Sequence, residues 1–516
     1  MTGETAEHAH GRLRASLTLA AVLLGFLTLP MLMTGTTVAL PRIGNDLHAS
    51  GAALQWVVVG YFLAAASTML VAGSLGDIVG RRRMFVCGAG IYTAGALASA
   101  CAGDIVLLDV ARTVSGVGAA GVMASGGAIL GATFTGAART RAFAAMGSTA
   151  GVGIATGPSL AGWLVDSLGW RATFGVFAGV GTLILLGAVV IVETRARHRP
   201  RVDVVGALVL VAGLVLLMFG ANQASGLGWG SAPVLGSGAA GAALLGAFVL
   251  VERRRAQPVL DLTLFADRRF AAWCLASVFV AAGPAGVMVF LPTYLQGVND
   301  LSPRTVGLIM LMQAGPVLVL PQITGRLVNW GVSARTLVVL SLTLIAAGNA
   351  WLTTLHPGVG AAGLLGPLAT MGIGMGLAMG TTDGQAMNQV DADRLGMAAG
   401  VLNTVRTTGS TLVTTVFGTS LISLLRARVG DGGLAARIAA GDLSGPDRAW
   451  RAAQYTEAWQ IALWAVAAAC LVAAVAVGLL LGRRDPGEHG AAEVAEKDRA
   501  GVGVAPRSGR GTAGMR

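Results

Sequence analysis

The run Gly73-Ser-Leu-Gly-Asp-Ile-Val-Gly-Arg-Arg-Arg83 decides the fold of this chain, because it joins two long apolar stretches through a charged turn. A single carboxylate, Asp77, stands before three consecutive arginines, and three glycines interrupt the run. Glycine adopts the backbone conformations that a tight turn between packed helices needs. The run therefore predicts a short connection between two membrane spans, at which opposite charges meet. Its candidate functional residues are Gly73, Asp77, Gly80 and Arg81.

The composition of the 516-residue chain is that of an integral membrane protein. Hydrophobic residues make up 54% of it and charged residues 12%, whereas soluble domains carry about 25% charged residues. A helix of about 20 apolar residues crosses a hydrocarbon core of about 30 Å, and the sequence has fourteen such stretches. We therefore predict an all-α membrane protein with fourteen transmembrane helices. The approximate spans are 17–40, 54–75, 84–103, 105–132, 141–164, 172–192, 203–222, 232–251, 270–293, 304–326, 335–355, 359–382, 397–423 and 458–481.

Arginines are distributed unevenly between the predicted loops. With the N-terminus in the cytoplasm, the cytoplasmic loops contain clusters such as Arg81–Arg83 and Arg253–Arg255, whereas the short outer loops contain single arginines. This asymmetry is the positive-inside bias of membrane proteins. It predicts a multi-pass protein of the cell membrane with both termini in the cytoplasm, and it accounts for the net charge of +11 without nucleic acid. The outer loop at roughly 424–457 holds five arginines, but long loops follow the bias weakly.

Missing motifs disfavour several classes of function. A Walker A loop needs Gly-Lys-Ser/Thr, and the one lysine, Lys497, follows Glu496, so the chain by itself is no ATP-driven pump. The metalloprotease motif His-Glu-x-x-His and the hydrolase motif Gly-x-Ser-x-Gly are absent too. We therefore expect neither an enzyme nor a bound metal or cofactor. The four cysteines stand at unpaired spacings, which predict no disulfide framework and no zinc site.

The second half of the chain contains a weak echo of the charged turn. The segment Gly325–Arg335 resembles Gly73–Arg83, with Asn329 at the position of Asp77. Two such turns on one side of the membrane indicate two homologous six-span halves, with the seventh and eighth spans inserted between them. We predict a cytoplasmic N-terminal tail at 1–16, an N-terminal six-helix bundle at 17–192, an inserted two-helix linker at 193–269, a C-terminal six-helix bundle at 270–481 and a disordered cytoplasmic tail at 482–516.

The fourth span contains two charged residues. In Leu108-Asp-Val-Ala-Arg-Thr-Val-Ser-Gly-Val-Gly-Ala-Ala120, Arg112 lies about eight residues into the span. A charge there is costly in lipid unless it faces a cavity and finds a partner. Asp109 lies three residues earlier on the same helical face and is the candidate partner. A structural ion pair near the outer membrane surface is the alternative to a functional one.

Small residues at a four-residue spacing mark the fifth span, which contains Gly153-Ile-Ala-Thr-Gly-Pro-Ser-Leu-Ala-Gly162. Such a stripe lets another helix approach closely, and its proline removes a backbone hydrogen bond and favours a kink. Ordinary small-residue packing is the alternative to a functional motif. The candidate residues are Gly153, Gly157, Pro158 and Gly162.

These three stretches resemble signatures of the major facilitator superfamily. The charged turn is similar to the loop motif Gly-x-Leu-Ala-Asp-Arg-x-Gly-Arg-Lys/Arg, with Ile78 in place of an arginine. The fourth span resembles Leu-x-x-x-Arg-x-x-Gln-Gly-x-Gly-Ala-Ala, with Ser115 in place of glutamine. The fifth span resembles the antiporter motif Gly-x-x-x-Gly-Pro-x-x-Gly-Gly, with Ala161 in place of a glycine.

The resemblance implies roles for the candidate residues. Asp77 and Arg81 would form a charge gate in the loop. The alternative for Asp77 is an ordinary exposed carboxylate, whose ion pairs would contribute little. Arg112 and Asp109 would take part in proton coupling, and the antiporter motif is associated with exporters.

Further stretches, in the same order along the chain, resemble the fourteen-span drug:proton antiporters of the EmrB/QacA type. This resemblance covers nearly the whole membrane region and implies the major facilitator fold, with alternating access between two helical bundles. It also implies a monomer that exports lipophilic small molecules, such as antibiotics, in exchange for protons. An importer of a small metabolite and a non-transporting membrane sensor or scaffold are the alternatives. The stretches include Val38–Pro41, Leu54–Tyr61, Gly169–Arg171, Leu260–Phe265, Leu291–Gln296 and Gly396–Arg406.

The first span lacks the acid that exporters of this type carry a few residues before the Val-Ala-Leu-Pro run. Leu32 occupies that position, and the span from Leu17 to Leu40 has no ionisable residue. Asp109 is then the best intramembrane candidate for proton exchange, with Asp383 second. Asp383 is also a candidate for substrate binding or relay, with a solvated residue at the cytoplasmic end of the twelfth span as the alternative. Arg406, in the thirteenth span, is a candidate for substrate binding or proton relay, with helix packing as the alternative. The missing acid predicts neutral, zwitterionic or anionic substrates.

Overall fold

The computed structural model describes residues 2–134, 136–195, 204–252, 265–379, 381–390, 395–445 and 447–482. Within these ranges the chain is all-helical and forms no β-strand, as the sequence predicts. The predicted disordered tail lies, after Gly482, outside the described residues.

Six helices form the N-terminal half: α1 (Thr2–Asp46), α2 (Gly51–Val79), α3 (Arg81–Ala100), α4 (Ile105–Thr133), α5 (Gly136–Leu168) and α6 (Trp170–Gly187). In this bundle α4 packs against α2 and α3, α1 packs against α5, and α3 packs against α6. The segment predicted as an N-terminal tail continues the first helix, because α1 already begins at Thr2.

Glycines allow the helices of this half to touch at the backbone. A Cβ atom at Gly118 of α4 would lie 2.2 Å from the Tyr92 backbone nitrogen of α3. A Cβ atom at Gly88 of α3 would lie 2.8 Å from the Val122 backbone nitrogen. Packing of small residues is what drives helices together in a bilayer, where the hydrophobic effect between helices is absent. The glycines of the fourth-span motif therefore fix the position of α4 against α3.

A helical hairpin follows the first half and consists of α7 (Val204–Leu227) and α8 (Ala232–Glu252). The two helices pack against each other, and α7 also packs against α2. Trp56 of α2 meets Phe219 of α7 edge-to-face, with 6.5 Å between the ring centroids. The hairpin coincides with the two spans that the sequence predicts as an insertion.

The C-terminal half contains α9 (Arg268–Ala282), α10 (Ala285–Asn299), α11 (Pro303–Asn329), α12 (Ala334–Leu352), α13 (Ala361–Ala378), α14 (Thr381–Met387), α15 (Leu395–Val429), α16 (Gly432–Ala439) and α17 (Arg448–Gly482). Here α12 packs against α13 and α17, α11 packs against α13, and α9 packs against α15.

Two spans that the sequence predicts as continuous helices are broken. The stretch predicted at 270–293 divides into α9 and α10 at Gly283 and Pro284, and it continues to Asn299. A proline lacks the backbone N–H that a helix interior needs and clashes with the preceding turn. The stretch predicted at 359–382 divides into α13 and α14, since α13 ends at Ala378 and α14 begins at Thr381.

In the described part of the chain, ten helices are long and apolar enough to cross a membrane, and two shorter apolar helices occur at Ala53–Met69 and Leu208–Ala224. Each of the fourteen predicted stretches overlaps a helix or a pair of broken helices. The number of helices that cross the membrane therefore stays a prediction.

The two halves meet through α5 with α11, α1 with α10, and α2 with α15. The Ser159 hydroxyl of α5 donates to the Gly307 carbonyl of α11 at 2.6 Å, and the Gln296 amide of α10 donates to the Val38 carbonyl of α1 at 2.9 Å. These contacts lie toward the end of the molecule where α1 finishes at Asp46, which we call the Asp46 end. The opposite end, where α3 begins, is the Arg81 end.

Candidate functional site

The charged turn lies at the Arg81 end between α2 and α3. Gly80, between the two helices, has φ +126°, a conformation that other residues rarely adopt. Asp77 lies in the last turn of α2, and its side chain is outside the described part of the structure. Gly73 lies further back in α2, where a Cβ atom would make only an ordinary contact, 3.8 Å from Ala124. The glycine that the turn needs is therefore Gly80.

Glu193, in the chain that follows α6, caps the start of α3. Its carboxylate accepts hydrogen bonds from the backbone nitrogens of Arg82 at 3.1 Å and Arg83 at 3.3 Å. It also lies 3.8 Å from the Arg83 side-chain nitrogen. The first N–H groups of a helix have no partner within the helix and carry the positive end of its dipole. A carboxylate there stabilises both, so the turn is fixed to the end of the N-terminal half.

Arg81 ties the same turn to its neighbours. Its backbone nitrogen donates to the Thr194 carbonyl at 3.0 Å, and its guanidinium donates to the Ala128 carbonyl of α4 at 3.2 Å. Gly80 completes this arrangement, because a Cβ atom there would lie 2.5 Å from a carboxylate oxygen of Glu193. The charged turn, α4 and the chain after α6 thus form one connected unit.

Arg112 of α4 is completely buried, with 0% of its surface exposed. Its Nε donates to the Val57 carbonyl of α2 at 3.3 Å. Its guanidinium carbon lies 4.4 Å from the centre of the Tyr61 ring and 5.4 Å from that of Phe174. Both terminal nitrogens are buried without a hydrogen-bond partner in the described structure. An isolated buried charge is destabilising, so an anionic or polar partner at this site would stabilise the guanidinium of Arg112.

The structure does not bring Asp109 and Arg112 into an ion pair. Arg112 reaches across to α2 and stacks on aromatic rings, whereas one carboxylate oxygen of Asp109 is buried and has no hydrogen-bond partner among the described residues. Spacing along a helix places two residues on one face, but the rotamer of a long arginine decides where its charge lies. Asp109 and Arg112 therefore stand one turn apart, each with buried polar atoms that have no hydrogen-bond partner among the described residues.

The fifth-span glycines face two different helices. Cβ atoms at Gly153 and Gly157 would lie 2.2 Å from the Leu27 carbonyl oxygen and 2.2 Å from the Thr34 hydroxyl, both in α1. A Cβ atom at Gly162 would lie 2.3 Å from the Pro303 carbonyl oxygen in α11.

This arrangement places the antiporter-like segment between the two halves. Pro158 stands within α5, which continues through it as one helix. A Cβ atom at Gly307 of α11 would lie 2.7 Å from the Pro158 carbonyl oxygen. The segment therefore binds α1 on one side and α11 of the other half on its other side.

Arg406 and Asp383, which the sequence treats as separate candidates, form an ion pair. The Arg406 guanidinium of α15 donates to both carboxylate oxygens of Asp383 of α14 at 3.0 Å. About a third of the Arg406 side chain and 43% of the Asp383 side chain are exposed. The break before α14 places this short helix beside α15, and so brings the two charges together.

Leu32, at the position where the first-span acid is missing, is 1% exposed and belongs to the main apolar core. The sequence analysis missed Glu193 altogether. The signal that could have found it is an acid directly after the sixth span, on the same predicted side of the membrane as the charged turn.

A model of the Major Facilitator Superfamily matches residues 22–414 of the chain. This protein belongs to the major facilitator superfamily. It is 33% identical over 416 residues to the multidrug resistance protein Stp of Mycobacterium tuberculosis, which covers 80% of this chain and 76% of that protein. It is 32% identical over 421 residues to the tetracenomycin C resistance and export protein of Streptomyces glaucescens, again over 80% and 76% of the two chains.

The fold agrees with that of solved members of this superfamily. A bacterial homologue of the human lysosomal transporter Spinster, solved in an inward-facing and unoccupied conformation, superposes with a TM-score of 0.63 at 16% identity. The match covers 92% of this chain and 99% of that chain. The predicted all-α major facilitator fold is therefore confirmed, and the protein is a multi-pass membrane transporter rather than an enzyme.

Proposed function

We propose that this transporter exports lipophilic small molecules, such as antibiotics, in exchange for protons. The observation that carries the proposal is the contact between the halves, which the antiporter-like segment of α5 makes through Ser159 and Gly162. The names of the relatives, one for multidrug resistance and one for export of tetracenomycin C, support the same direction of transport.

The proposed mechanism is alternating access between the two halves. We assign the Asp46 end to the outer face and the Arg81 end, with both termini, to the cytoplasm, because the described arginines Arg81–Arg83, Arg326 and Arg335 lie at the Arg81 end. The contacts of α5 with α11 and of α1 with α10 then close the path toward the outside. Substrate would enter from the cytoplasmic side and leave when these contacts separate. The charged turn, held by Glu193, would govern that movement.

Proton coupling in this proposal rests on Asp109 and Arg112. One Asp109 carboxylate oxygen and both terminal nitrogens of Arg112 are buried without partners in the part of the chain that the structure describes. A buried carboxylate is neutralised by a proton or stabilised by an opposite charge, whereas a buried guanidinium is stabilised only by an anionic or polar partner. Proton binding to Asp109 would therefore compete with its attraction to Arg112 and change the contacts of α4 with α2.

The membership of the fourteen-span drug:proton antiporters is part of the same proposal. It is supported by the α7–α8 hairpin between the two halves and by the broken helices that complete six spans in the second half. A monomer would suffice, since the contacts between the halves lie within one chain.

The test is dye accumulation in a host that lacks its own efflux pumps, measured with and without a protonophore. Cells that produce the protein are expected to accumulate less of a lipophilic dye, and the protonophore should abolish the difference. A difference that resists the protonophore would contradict proton coupling. Increased accumulation would indicate an importer, and unchanged accumulation of a broad panel of dyes would indicate a sensor or scaffold.

A further inference from the structure

A small cavity lies between the two halves and is lined by both. Ile154 and Pro158 of α5 form one wall, and three methionines of the C-terminal half, Met288, Met310 and Met375, form the other. Its volume of about 20 Å³ is enough for roughly one water molecule. A larger molecule can therefore occupy it only when the walls move apart.

The cavity lies directly below the contact that closes the Asp46 end. Gly307 of α11 packs on Pro158 at that contact, and Met310 and Gln313 follow one and two turns later in the same helix. Any movement that separates α5 from α11 therefore enlarges the cavity. A site in this place changes shape in the same step that opens the outer end.

Among the described residues that line the cavity, Gln313 is the one with a polar side chain. It is 3% exposed, and within the described structure its amide nitrogen donates only to the Met375 sulfur, at 3.9 Å. Thioether sulfur is a weak acceptor, whereas a side-chain amide has two donors and an acceptor with two lone pairs. Most of the hydrogen-bonding capacity of Gln313 is thus unused within the described structure, although a buried amide without partners is destabilising by about 1–3 kcal/mol.

The backbone of Gln313 is held in place by its neighbour helix. A Cβ atom at Gly372 of α13 would lie 2.1 Å from the Gln313 carbonyl oxygen, so α11 and α13 touch at this point. The backbone that carries the amide is therefore held at a close helix crossing, while the methionines around it have flexible side chains. A polar group on a fixed backbone in an adaptable apolar wall is typical of a ligand site that sets orientation by one hydrogen bond.

The charge of the residues that line the cavity limits the charge of the ligands that can bind there. None of the described residues that line it is ionisable. An ionic group placed there would lose its hydration without gaining an opposite charge, which is unfavourable. Methionine sulfur makes favourable contacts with aromatic rings, and its flexible chain adapts to different shapes. The lining therefore fits neutral aromatic molecules that carry at least one hydrogen-bonding group.

We propose that Gln313 determines the substrate specificity of the transporter, by a hydrogen bond to neutral aromatic molecules that occupy this cavity. This inference rests on the proposed export function and names a specificity-determining residue and the substrate class. A neutral substrate also agrees with Leu32, which leaves α1 without a carboxylate to pair with a cation.

The test is equilibrium binding to the purified full-length protein in lipid nanodiscs. The probes are 1-aminoanthraquinone, which is neutral and flat and carries carbonyl groups, and ethidium, which is a permanent cation. Wild type should bind the neutral probe saturably and more tightly than ethidium. Gln313→Leu should raise the Kd of the neutral probe about threefold to tenfold, as expected for one lost hydrogen bond. Ala314→Trp, which fills the cavity from α11, should abolish binding at the site. The signal that remains with this variant measures partition of the probe into the lipid.

A gain of function excludes misfolding as the explanation. Gln313→Glu places a carboxylate in the cavity and should lower the Kd of ethidium at least tenfold. The matched control is Gln460→Glu, because the Gln460 amide of α17 donates to the Leu355 carbonyl outside the cavity at 3.1 Å. That variant should change neither Kd by more than twofold.

Three results would overturn the inference: tighter binding of ethidium by wild type, no saturable binding of the neutral probe, or an unchanged Kd in both Gln313 variants. The proposed export function fails separately. If the protein shows protonophore-sensitive efflux but the Gln313 variants leave the Kd of both probes unchanged, the site is refuted and the export function stands. The expected binding pattern without any efflux would keep the site and refute export.

Discussion

At the scale of single residues, Arg112 shows how a cation can be kept inside a membrane bundle. Within the described structure its guanidinium has one hydrogen bond, to the Val57 carbonyl, and lies over the faces of Tyr61 and Phe174. Cation–π contacts contribute about 0.5–2 kcal/mol each, which is less than the cost of burying an unpaired charge. Because these contacts do not fully compensate for the buried charge, a carboxylate that approaches the guanidinium would stabilise it.

Asp109→Asn is expected to abolish proton-driven efflux, because the amide can neither bind a proton at neutral pH nor attract Arg112 as a carboxylate does. The measurement is proton exchange by the purified protein in proteoliposomes, followed with a trapped pH-sensitive dye. Asp166→Asn is the matched control, since Asp166 forms an exposed ion pair with Arg42 at the same end of the molecule. Wild-type-like proton exchange by the Asp109 variant would refute the coupling assignment.

Gly80→Ala is expected to destabilise the folded protein by about 1–3 kcal/mol, because alanine is strained at φ +126°. Its Cβ atom would also lie 2.5 Å from a carboxylate oxygen of Glu193. Thermal unfolding in detergent measures the effect. Gly90→Ala is the control, since beyond the adjacent residues and the local backbone of α3 no described atom would lie within 4 Å of a Cβ atom at that position. Equal stability of the two variants would show that the turn tolerates a side chain.

The sequence was enough to identify candidate site residues, but not to predict which residues they contact in the fold. Arg112 could be recognised because an arginine inside an apolar span is rare, and Gly80 because it stands in a charged turn. The partner of Arg112 depends on a side-chain rotamer, which spacing along the helix does not determine. Glu193 was missed because it is one of 25 acids and reaches α3 only through the tertiary fold.

At the scale of helices, α5 is the element that joins the two halves. One side of it packs into α1 through Gly153 and Gly157, and Gly162 packs against Pro303 of α11. Such crossings depend on the absence of side chains, because helices in a bilayer associate by close packing. The fifth-span motif is therefore explained by two interfaces on one helix.

Gly162→Ala is expected to weaken closure at the Asp46 end, because the new Cβ atom would lie 2.3 Å from the Pro303 carbonyl oxygen. Transport should fall while the protein still folds, since the clash lies between the halves and not within one. Dye efflux at matched membrane abundance measures this effect. Gly175→Ala serves as the control, because beyond the adjacent residues and the local backbone of α6 a Cβ atom there would meet no described atom within 4 Å. An efflux rate equal to that of the control would show that this contact does not limit transport.

The two broken helices were not predicted from the sequence, which indicated a continuous helix at each place. Apolar length located the spans, but a window of about 20 residues cannot distinguish one helix from two that share a span. Gly283-Pro284 was a readable signal for the first break, because proline disfavours a helix interior. The second break gave no comparable proline signal, although it brings Asp383 beside Arg406.

At the scale of the whole molecule, ion pairs reduce the net positive charge of the Asp46 end. Several arginines there pair with acids: Arg42 with Asp166, Arg428 with Glu457, Arg437 with Asp442, and Arg448 with Asp300. Exposed pairs contribute little to stability, but each neutralises one arginine. Three of the five arginines in the long loop at 424–457 are paired in this way, which agrees with its predicted place on the outer side.

The last prediction tests this orientation with single cysteines at the two ends. Gly433→Cys lies on the exposed surface of α16 at the Asp46 end, and Trp330→Cys replaces a side chain that is 78% exposed at the Arg81 end. Both are made in a background that lacks the exposed Cys87 and Cys101. With the arginine clusters in the cytoplasm, an impermeant maleimide added to intact cells should label position 433 and spare position 330. Inverted vesicles should give the opposite pattern, and detergent should expose both positions. Labelling of position 330 in intact cells would reverse the orientation, and the contacts between α5 and α11 would then close the cytoplasmic side instead.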